Sequence, residues 1–382
     1  MQSFTLAPVP EIVFGSGRIA ELASRATLLA GRNVPVALIA DPALDGLGIT
    51  ARALAILAAA GHATCLYDGL RGEPKASDID RAAALAREHK AGAVVGLGGG
   101  SALDTAKLVA SCAVSGKPVE AYQLCQTPLP ADHLPIIAVP TTAGTGAEVT
   151  RTCIFSNSRH EKVWAWGDEL KPEAAILDPD LTLAVPRSVT AATGLDALVH
   201  AIEASTNRNR HDASDLYCHR GVALIAGNLE RAVKAPGDIE ARGAMLLGSC
   251  YAGIGIDNCG TALAHNISHA IANLAAIPHG RATGLAMLAT IDWVAEGNPQ
   301  AFTKVAAAMG GNDAAAVYGR LVRASGIKIS LHGDGLDLKR PDLLAEQMAL
   351  PVNSSMRNAT VRTPTDADLI MLAERVYALV DA

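Results

Sequence analysis

Four short runs rich in Val, Ile and Leu mark the first half of this 382-residue chain: VPVALIAD (34–41), HATCLYDG (62–69), AGAVVGLGG (91–99) and LPIIAVPTT (134–142). Each ends at Gly, Asp or Thr. Between them, ITARALAILAAAG and ASDIDRAAALAREHKA carry apolar residues at helical spacing, so strand and helix alternate. Strands this apolar must be covered on both faces, and alternation with helices provides the cover. The pattern predicts a parallel sheet flanked by helices. KVWAWGDEL and AAILDPDLTL predict further short strands near 162–183. From PRSVTAATG onward the strand runs stop, and long Ala/Leu-rich helical segments continue to the C-terminus. The boundary this predicts is an α/β domain over 1–186 and an all-helical domain over 187–382.

Composition narrows the class. Half of the residues are hydrophobic but only 3% are aromatic, so Ala, Val, Leu and Ile must build the cores. No uncharged apolar run approaches the roughly 18 residues that a membrane-spanning helix needs. The opening MQSFTLAPVPEIVFG has neither a basic n-region nor a continuous apolar h-region, which predicts a chain without a secretory leader. Seven cysteines stand singly, without CxxC spacing, as small buried hydrophobes of a reducing compartment do. A net charge of −6 with no basic cluster argues against nucleic acid as the main partner. A soluble, cytoplasmic protein is the expectation.

The stretch AGAVVGLGGGSALDTAKLVA runs from a strand into Gly98, Gly99, Gly100 and Ser101, and then into a helix. Glycines let a backbone approach a phosphate closely, and the free N–H groups of a helix start favour an anion. The spacing is not the GxGxxG fingerprint, so a dinucleotide site and a plain structural turn both fit. PTTAGTGAEVT (140–150) is a second Thr/Gly-rich turn after a strand, and in a parallel sheet both turns fall at the same carboxyl edge. Asp41 closes an earlier strand. A carboxylate there can accept hydrogen bonds from an adenosine ribose and repel a 2′-phosphate, or it can simply form the turn before Pro42.

The second half holds an unusual set of imidazoles. In HNISHAIANLAAIPHG (265–280), His265 and His269 are four apart, on one helical face, while His279 between Pro278 and Gly280 marks where that helix ends or bends. A buried imidazole needs a hydrogen bond or a metal, and either satisfies it. GLDALVHAIEA (194–204) adds Asp196 and His200, again four apart. One carboxylate and three imidazoles (His200, His265, His279) from two helical segments suit a divalent first-row ion with an open position for substrate. Beside a nicotinamide cofactor, such an ion would polarise an alcohol or carbonyl oxygen.

With these motifs in order, from IVFGSG through GGGSALDTAK, PTTAGTGAEVTR, LDPDLT and GLDALVHAIEA to HNISHAIANLAAIPHG, the chain resembles the iron-containing (group III) alcohol dehydrogenases over essentially its whole length. The resemblance implies a Rossmann-like N-terminal dinucleotide-binding domain, an all-helical catalytic domain with a cleft between them, and a homodimer. It implies NAD and one divalent metal, Fe(II) first and Zn(II) second, with a small alcohol or aldehyde as substrate. It places the metal on Asp196, His200, His265 and His279, and His269 beside the nicotinamide as a proton carrier. The pyrophosphate would rest on Gly98, Gly99, Gly100 and Ser101, and Asp104, Thr141, Thr142, Thr150, Lys162 and Leu181 match the remaining cofactor contacts.

The chain also departs from that family. The segment between Thr150 and Lys162 is one residue shorter than usual, and Ala270, Ile271 and Ala272 stand where Pro-Leu-Gly is frequent. Arg281 follows the last imidazole, facing either solvent or the substrate, and STNRNRHD (205–212) reads as a solvated charged turn. A maleylacetate reductase is a close alternative, although those enzymes often lose part of the Asp/His set, which is complete here. Dehydroquinate synthase-like cyclases need a basic cluster for a polyanionic substrate, and the sequence has none. Asp41 yields the first prediction: Asp41→Gly narrows or reverses a preference for NADH over NADPH, read from kcat/KM with both cofactors. A wild-type chain that uses NADPH more efficiently would remove Asp41 from the ribose site.

Overall fold

The computed structural model describes residues 3–381. They form two compact units. One runs Pro8–Thr142 and Gly146–Ala184; the other takes the chain from Val185 onward together with the described residues up to Ala7 and with Ala143–Thr145.

The first unit is built on a six-stranded, wholly parallel sheet in the order β1-β8-β5-β4-β2-β3. Its strands are β1 (Glu11–Phe14), β2 (Val36–Ala40), β3 (Thr64–Tyr67), β4 (Ala93–Gly98), β5 (Ile136–Pro140) and β8 (Ala174–Leu177). The central strands β2, β4, β5 and β8 are buried at every residue, which is why their sequences are apolar throughout rather than alternating. One apolar layer beneath the sheet includes residues of α1 (Leu22–Ala30) and α2 (Ile49–Ala59), and the opposite layer includes residues of α3 (Ala76–Glu88) and α4 (Gly100–Ser115). Between β5 and β8 the chain makes a separate antiparallel hairpin, β6 (Thr152–Ser156) with β7 (Lys162–Trp166). Of these, β1 and β6 have no counterpart among the strand runs singled out above.

Register brings the turns together. Ala40 pairs with Leu97, and Gly98 with Pro140, so β2, β4 and β5 finish side by side. Asp41, the Gly98–Ser101 loop and Thr141–Thr142 therefore share the carboxyl edge of the sheet, as the strand order requires. Gly98 has φ +150°, and a Cβ there would lie 2.8 Å from the Cβ atoms of both Ala102 and Asp41. Only glycine fits where the chain turns so tightly from β4 into α4.

The second unit is helical: α5 (Arg187–Thr206), α6 (Asp212–Lys234), α7 (Ile239–Cys259), α8 (Leu263–Ala272), α9 (His279–Ala295), α10 (Pro299–Ala308), α11 (Ala314–Ala324), α12 (Pro341–Ala349), α13 (Ser354–Ala359) and α14 (Asp366–Tyr377). From Gly194 to Thr206, every residue of α5 is buried. A helix enclosed on all sides has no polar face, so from Leu195 to Ala204 Ala, Leu, Val and Ile fill the positions that do not carry Asp196, His200 or Glu203. Small residues set the packing distance. A Cβ on Gly255 of α7 would lie 2.3 Å from Cys218 Sγ on α6, and one on Gly194 would lie 2.5 Å from Leu229. Among the described residues, no helix is long and apolar enough to cross a membrane.

One buried carboxylate closes the sheet edge in the first unit. Asp178, directly after β8, accepts the N–H of Ile19 at 2.9 Å and those of Gly17 and Asp180 at 3.1 Å. Asp178→Ala should strand these amides and cost about 2–4 kcal/mol, read as a lower urea midpoint. Asp178→Asn, which keeps one carbonyl oxygen, should cost less. Equal stability of the alanine variant would show that water replaces the carboxylate without penalty.

Candidate metal centre and cofactor site

Asp196, His200 and Glu203 lie four and then three residues apart on α5, so they project from one face of that helix. His265 comes from α8, and His279 is the first residue of α9. His279 therefore opens a new helix instead of bending the old one, because Pro278 suits a helix start and the chain leaves helical geometry after α8. Three helices supply the set, where the sequence suggests two segments. Gly280 explains how α9 comes so near: a Cβ there would lie 2.3 Å from the Ala192 carbonyl oxygen of α5.

The ligand atoms of Asp196, His265 and His279 lie within 4.8 Å of one another. The Nε2 atoms of His265 and His279 each stand 3.7 Å from Asp196 Oδ1. That distance is too long for a hydrogen bond, but it is close to the separation of two donors each about 2.1 Å from a common ion. Asp196 Oδ1 and His265 Nε2 are buried without a hydrogen-bond partner. Orphaned polar atoms facing each other are costly unless something binds them, and a carboxylate with two imidazoles suits a divalent first-row metal. The donors fit the ion. His200 stands outside this trio, stacked on His265 with ring centroids 4.5 Å apart and its Nδ1 3.3 Å from the Gly144 carbonyl. Burial pushes the His200 pKa down to about 4, so the ring is neutral at pH 7, the form a metal requires.

A second layer holds the donors, and Glu203 is its centre. Its Oε2 accepts from His265 Nδ1 at 2.6 Å and from the Ala262 N–H at 2.7 Å, while Oε1 accepts from the Ala264 N–H at 2.7 Å. One carboxylate thereby caps the start of α8 and turns His265 Nε2 toward Asp196. Burial lowers the His265 pKa, but Glu203 and Asp196 outweigh it, so the net shift is upward. Sequence reasoning missed Glu203; its signal was the spacing of seven residues from Asp196 along one helix face. His279 has its own support: Ser268 Oγ lies 3.1 Å from Nδ1, and Thr283 Oγ1 donates to the His279 carbonyl at 2.9 Å.

The neighbouring positions sort differently. His269 is half-buried, edge-on to the His279 ring at 5.5 Å, and is not part of the trio. Arg281 is buried away from solvent: Nε donates to the Lys328 carbonyl, and one terminal nitrogen donates to the Ser330 carbonyl and Asp334, all at 2.8 Å. The 205–212 turn is only partly solvated, because its polar groups find backbone partners. Asn207 Nδ2 donates to the Cys259 and Gly260 carbonyls at 3.0 Å, Arg208 Nε to that of Thr360 at 2.9 Å, and His211 caps α6.

At the sheet edge, the first turn of α4 has no side-chain cap, and Gly99 occupies the capping position. Its N–H groups, with Gly98, Gly100 and Ser101, form the kind of backbone cradle an anion needs. Thr142 Oγ1 would lie 3.3 Å from a Cβ on Gly99, so it borders this cradle, and the Thr141 N–H donates to the Gly98 carbonyl at 2.9 Å. Asp41 Oδ1 accepts the Ala43 N–H at 2.9 Å, so the turn-forming role is real. Other candidates meet protein groups. Asp104 Oδ2 accepts the Ile154 N–H at 3.0 Å, Lys162 pairs with Glu73 at 2.8 Å, Thr150 Oγ1 accepts from Lys107, and Leu181 is buried in the apolar layer with Leu97 and Ile176.

Comparison with known proteins agrees with this combination of fold and donors. The iron-containing alcohol dehydrogenase family model matches residues 9–179, and the C-terminal model of the Fe-containing alcohol dehydrogenase family matches 190–377. The long-chain-alcohol dehydrogenase 1 of Geobacillus thermodenitrificans is 35% identical over 78% of this chain and 75% of its own length. A crystal structure of 1,3-propanediol oxidoreductase superposes with a TM-score of 0.91 at 28% identity, covering 98% of this chain and 100% of that one. Sulfoacetaldehyde reductase from Bifidobacterium kashiwanohense, in complex with NAD+, gives 0.90 at 28% identity, covering 99% and 100%. The chain is an oxidoreductase that belongs to the iron-containing alcohol dehydrogenase family.

Glu203 yields a prediction. Glu203→Gln keeps one acceptor oxygen and replaces the other with an NH2 group, which cannot accept from His265 or from the N–H groups at the start of α8. Metal affinity should fall about 10- to 100-fold, measured by competition with a chromogenic chelator. An unchanged affinity would mean that His265 needs no partner at Nδ1.

Proposed function

We propose that this chain is a metal-dependent, NAD(H)-linked dehydrogenase that interconverts small alcohols with aldehydes or ketones. The observation that carries the reading is the meeting of Asp196, His265 and His279 around two orphaned buried atoms. Those three residues, with His200 as a fourth donor, would hold one divalent ion, iron(II) first and zinc(II) second. Once bound, the ion supplies a Lewis acid for the substrate oxygen. NAD(H) supplies the hydride acceptor or donor. The family membership and the NAD+ complex of the structural relative support that cofactor.

The chain's own groups bind and orient. Gly98, Gly99, Gly100 and Ser101 offer backbone N–H groups to the pyrophosphate, Thr141, Thr142 and Thr150 line the adjoining turn, and Asp41 takes the ribose. Asp104, Lys162 and Leu181 complete the cofactor contacts, Asp104 and Lys162 while also bonding to protein groups. The Pro8–Thr142 and Gly146–Ala184 unit is the dinucleotide-binding domain, and the helical unit carries the metal. His269 moves the proton that accompanies oxidation of an alcohol, a task that an imidazole suits at neutral pH. A cytoplasmic homodimer is the working form, in keeping with the scattered single cysteines.

The direct test is a panel of alcohols and aldehydes with NAD(H) and NADP(H), run after reconstitution with Fe(II) or Zn(II). Turnover of no alcohol or aldehyde with either metal would overturn the reading. Two variants separate roles. His265→Ala should lose most of its metal and most of its activity while keeping the fold. His269→Ala should keep the metal but lose about ten- to a thousandfold in turnover, with an altered pH profile. Metal loss by His269→Ala, measured by elemental analysis, would make that residue a ligand instead.

A further inference from the structure

Lys107 lies on α4 two turns beyond the glycine loop, and its side chain is wholly removed from solvent. An ammonium survives burial only when its protons are taken up by good acceptors. Here three oxygens take them: the Thr152 carbonyl at 2.7 Å, the Ala147 carbonyl at 3.2 Å and Thr150 Oγ1 at 3.3 Å. Asp104 Oδ1 stands at 3.6 Å and contributes charge without a hydrogen bond. Burial pushes the nearby Glu148 carboxyl up to about 7, so it carries only part of a charge at neutrality.

The chemistry of the donor fixes the direction of the Thr150 bond. An ammonium has three donors and no acceptor. The Thr150 hydroxyl therefore receives from Lys107, and its own proton is left for a different acceptor. The two carbonyls that Lys107 also holds, Ala147 and Thr152, bracket Thr150 in the chain, so one buried charge fixes both the backbone and the polarity of that hydroxyl. One turn earlier on α4, Asp104 takes the Ile154 N–H and extends the clamp to β6.

We propose that Lys107 is a positioning residue for the cofactor: it sets the Thr150 hydroxyl as a one-way hydrogen-bond donor to an oxygen of the bound dinucleotide, either phosphoryl or carboxamide. The inference rests on the cofactor reading above. The metal-loaded enzyme, Thr150→Val, Lys107→Met and the double variant are titrated with NADH by fluorescence and with ADP-ribose by competition. Each single change should weaken NADH binding about tenfold, and the double variant should bind no worse than Lys107→Met, because both act through one bond. KM for NADH should rise in parallel, with kcat at saturation changed far less. Thr150→Ser, which keeps the hydroxyl, should bind NADH as the wild type does. Weakened ADP-ribose binding assigns the acceptor to the phosphoryl group; weakening for NADH alone assigns it to the carboxamide. If Lys107→Met does not fold, Thr150→Val against Thr150→Ser carries the test. Unchanged NADH binding by Thr150→Val, or losses that multiply in the double variant, would overturn the positioning role. A wild-type enzyme that binds no NADH would overturn the cofactor reading itself.

Discussion

The Glu203 carboxylate is the interaction on which the helical unit turns. It is buried, and it accepts three hydrogen bonds from α8: two from backbone N–H groups and one from the His265 ring. The same atoms thus begin a helix, join it to α5 and orient a metal donor. A cap of this kind uses the partial positive charge at a helix start, which keeps a carboxylate stable where water cannot reach. Structure and chemistry are inseparable at this point, since displacing Glu203 both uncaps α8 and frees the His265 ring.

The first unit follows the same logic with both signs of charge. There a buried ammonium, Lys107, gathers the oxygens of the segment between β5 and β6, while Asp178 gathers amides at the sheet's far edge. Neither group contacts solvent. Each replaces the water that a loop would otherwise need, so long turns can be held rigid at the end of an all-apolar sheet.

Much of this was legible in the sequence because two periods dominate it. Continuous Val/Ile runs ending at Gly, Asp or Thr exposed β2, β3, β4 and β5, and the spacing of four exposed the Asp196–His200 pair on one helix. β6 escaped notice because TCIFS is short and lacks a continuous apolar run. Glu203 and Lys107 escaped for another reason: a charged residue in a helical pattern reads as a solvated face, and only tertiary packing buries it. The turn 205–212 was misjudged in the same way, since Arg and Asn side chains there find carbonyls from distant segments. The partners of Arg281 were not legible, because the segment 328–334 lies far away in sequence and carries no pattern that links it to α9.

Gly280 has a consequence for how the donors can respond to an ion. With α9 resting main chain against main chain on the Ala192 carbonyl, the stretch of helix that presents His279 cannot slide toward the stretch that presents Asp196. The separation of the two is a fixed gauge, cut in backbone rather than in side chains. Any adjustment to the radius of the ion falls to small rotations of the carboxylate and the imidazoles about their own side-chain bonds. An ion held by these residues would be accommodated by swivelling donors on a rigid mount, with no travel in the scaffold itself.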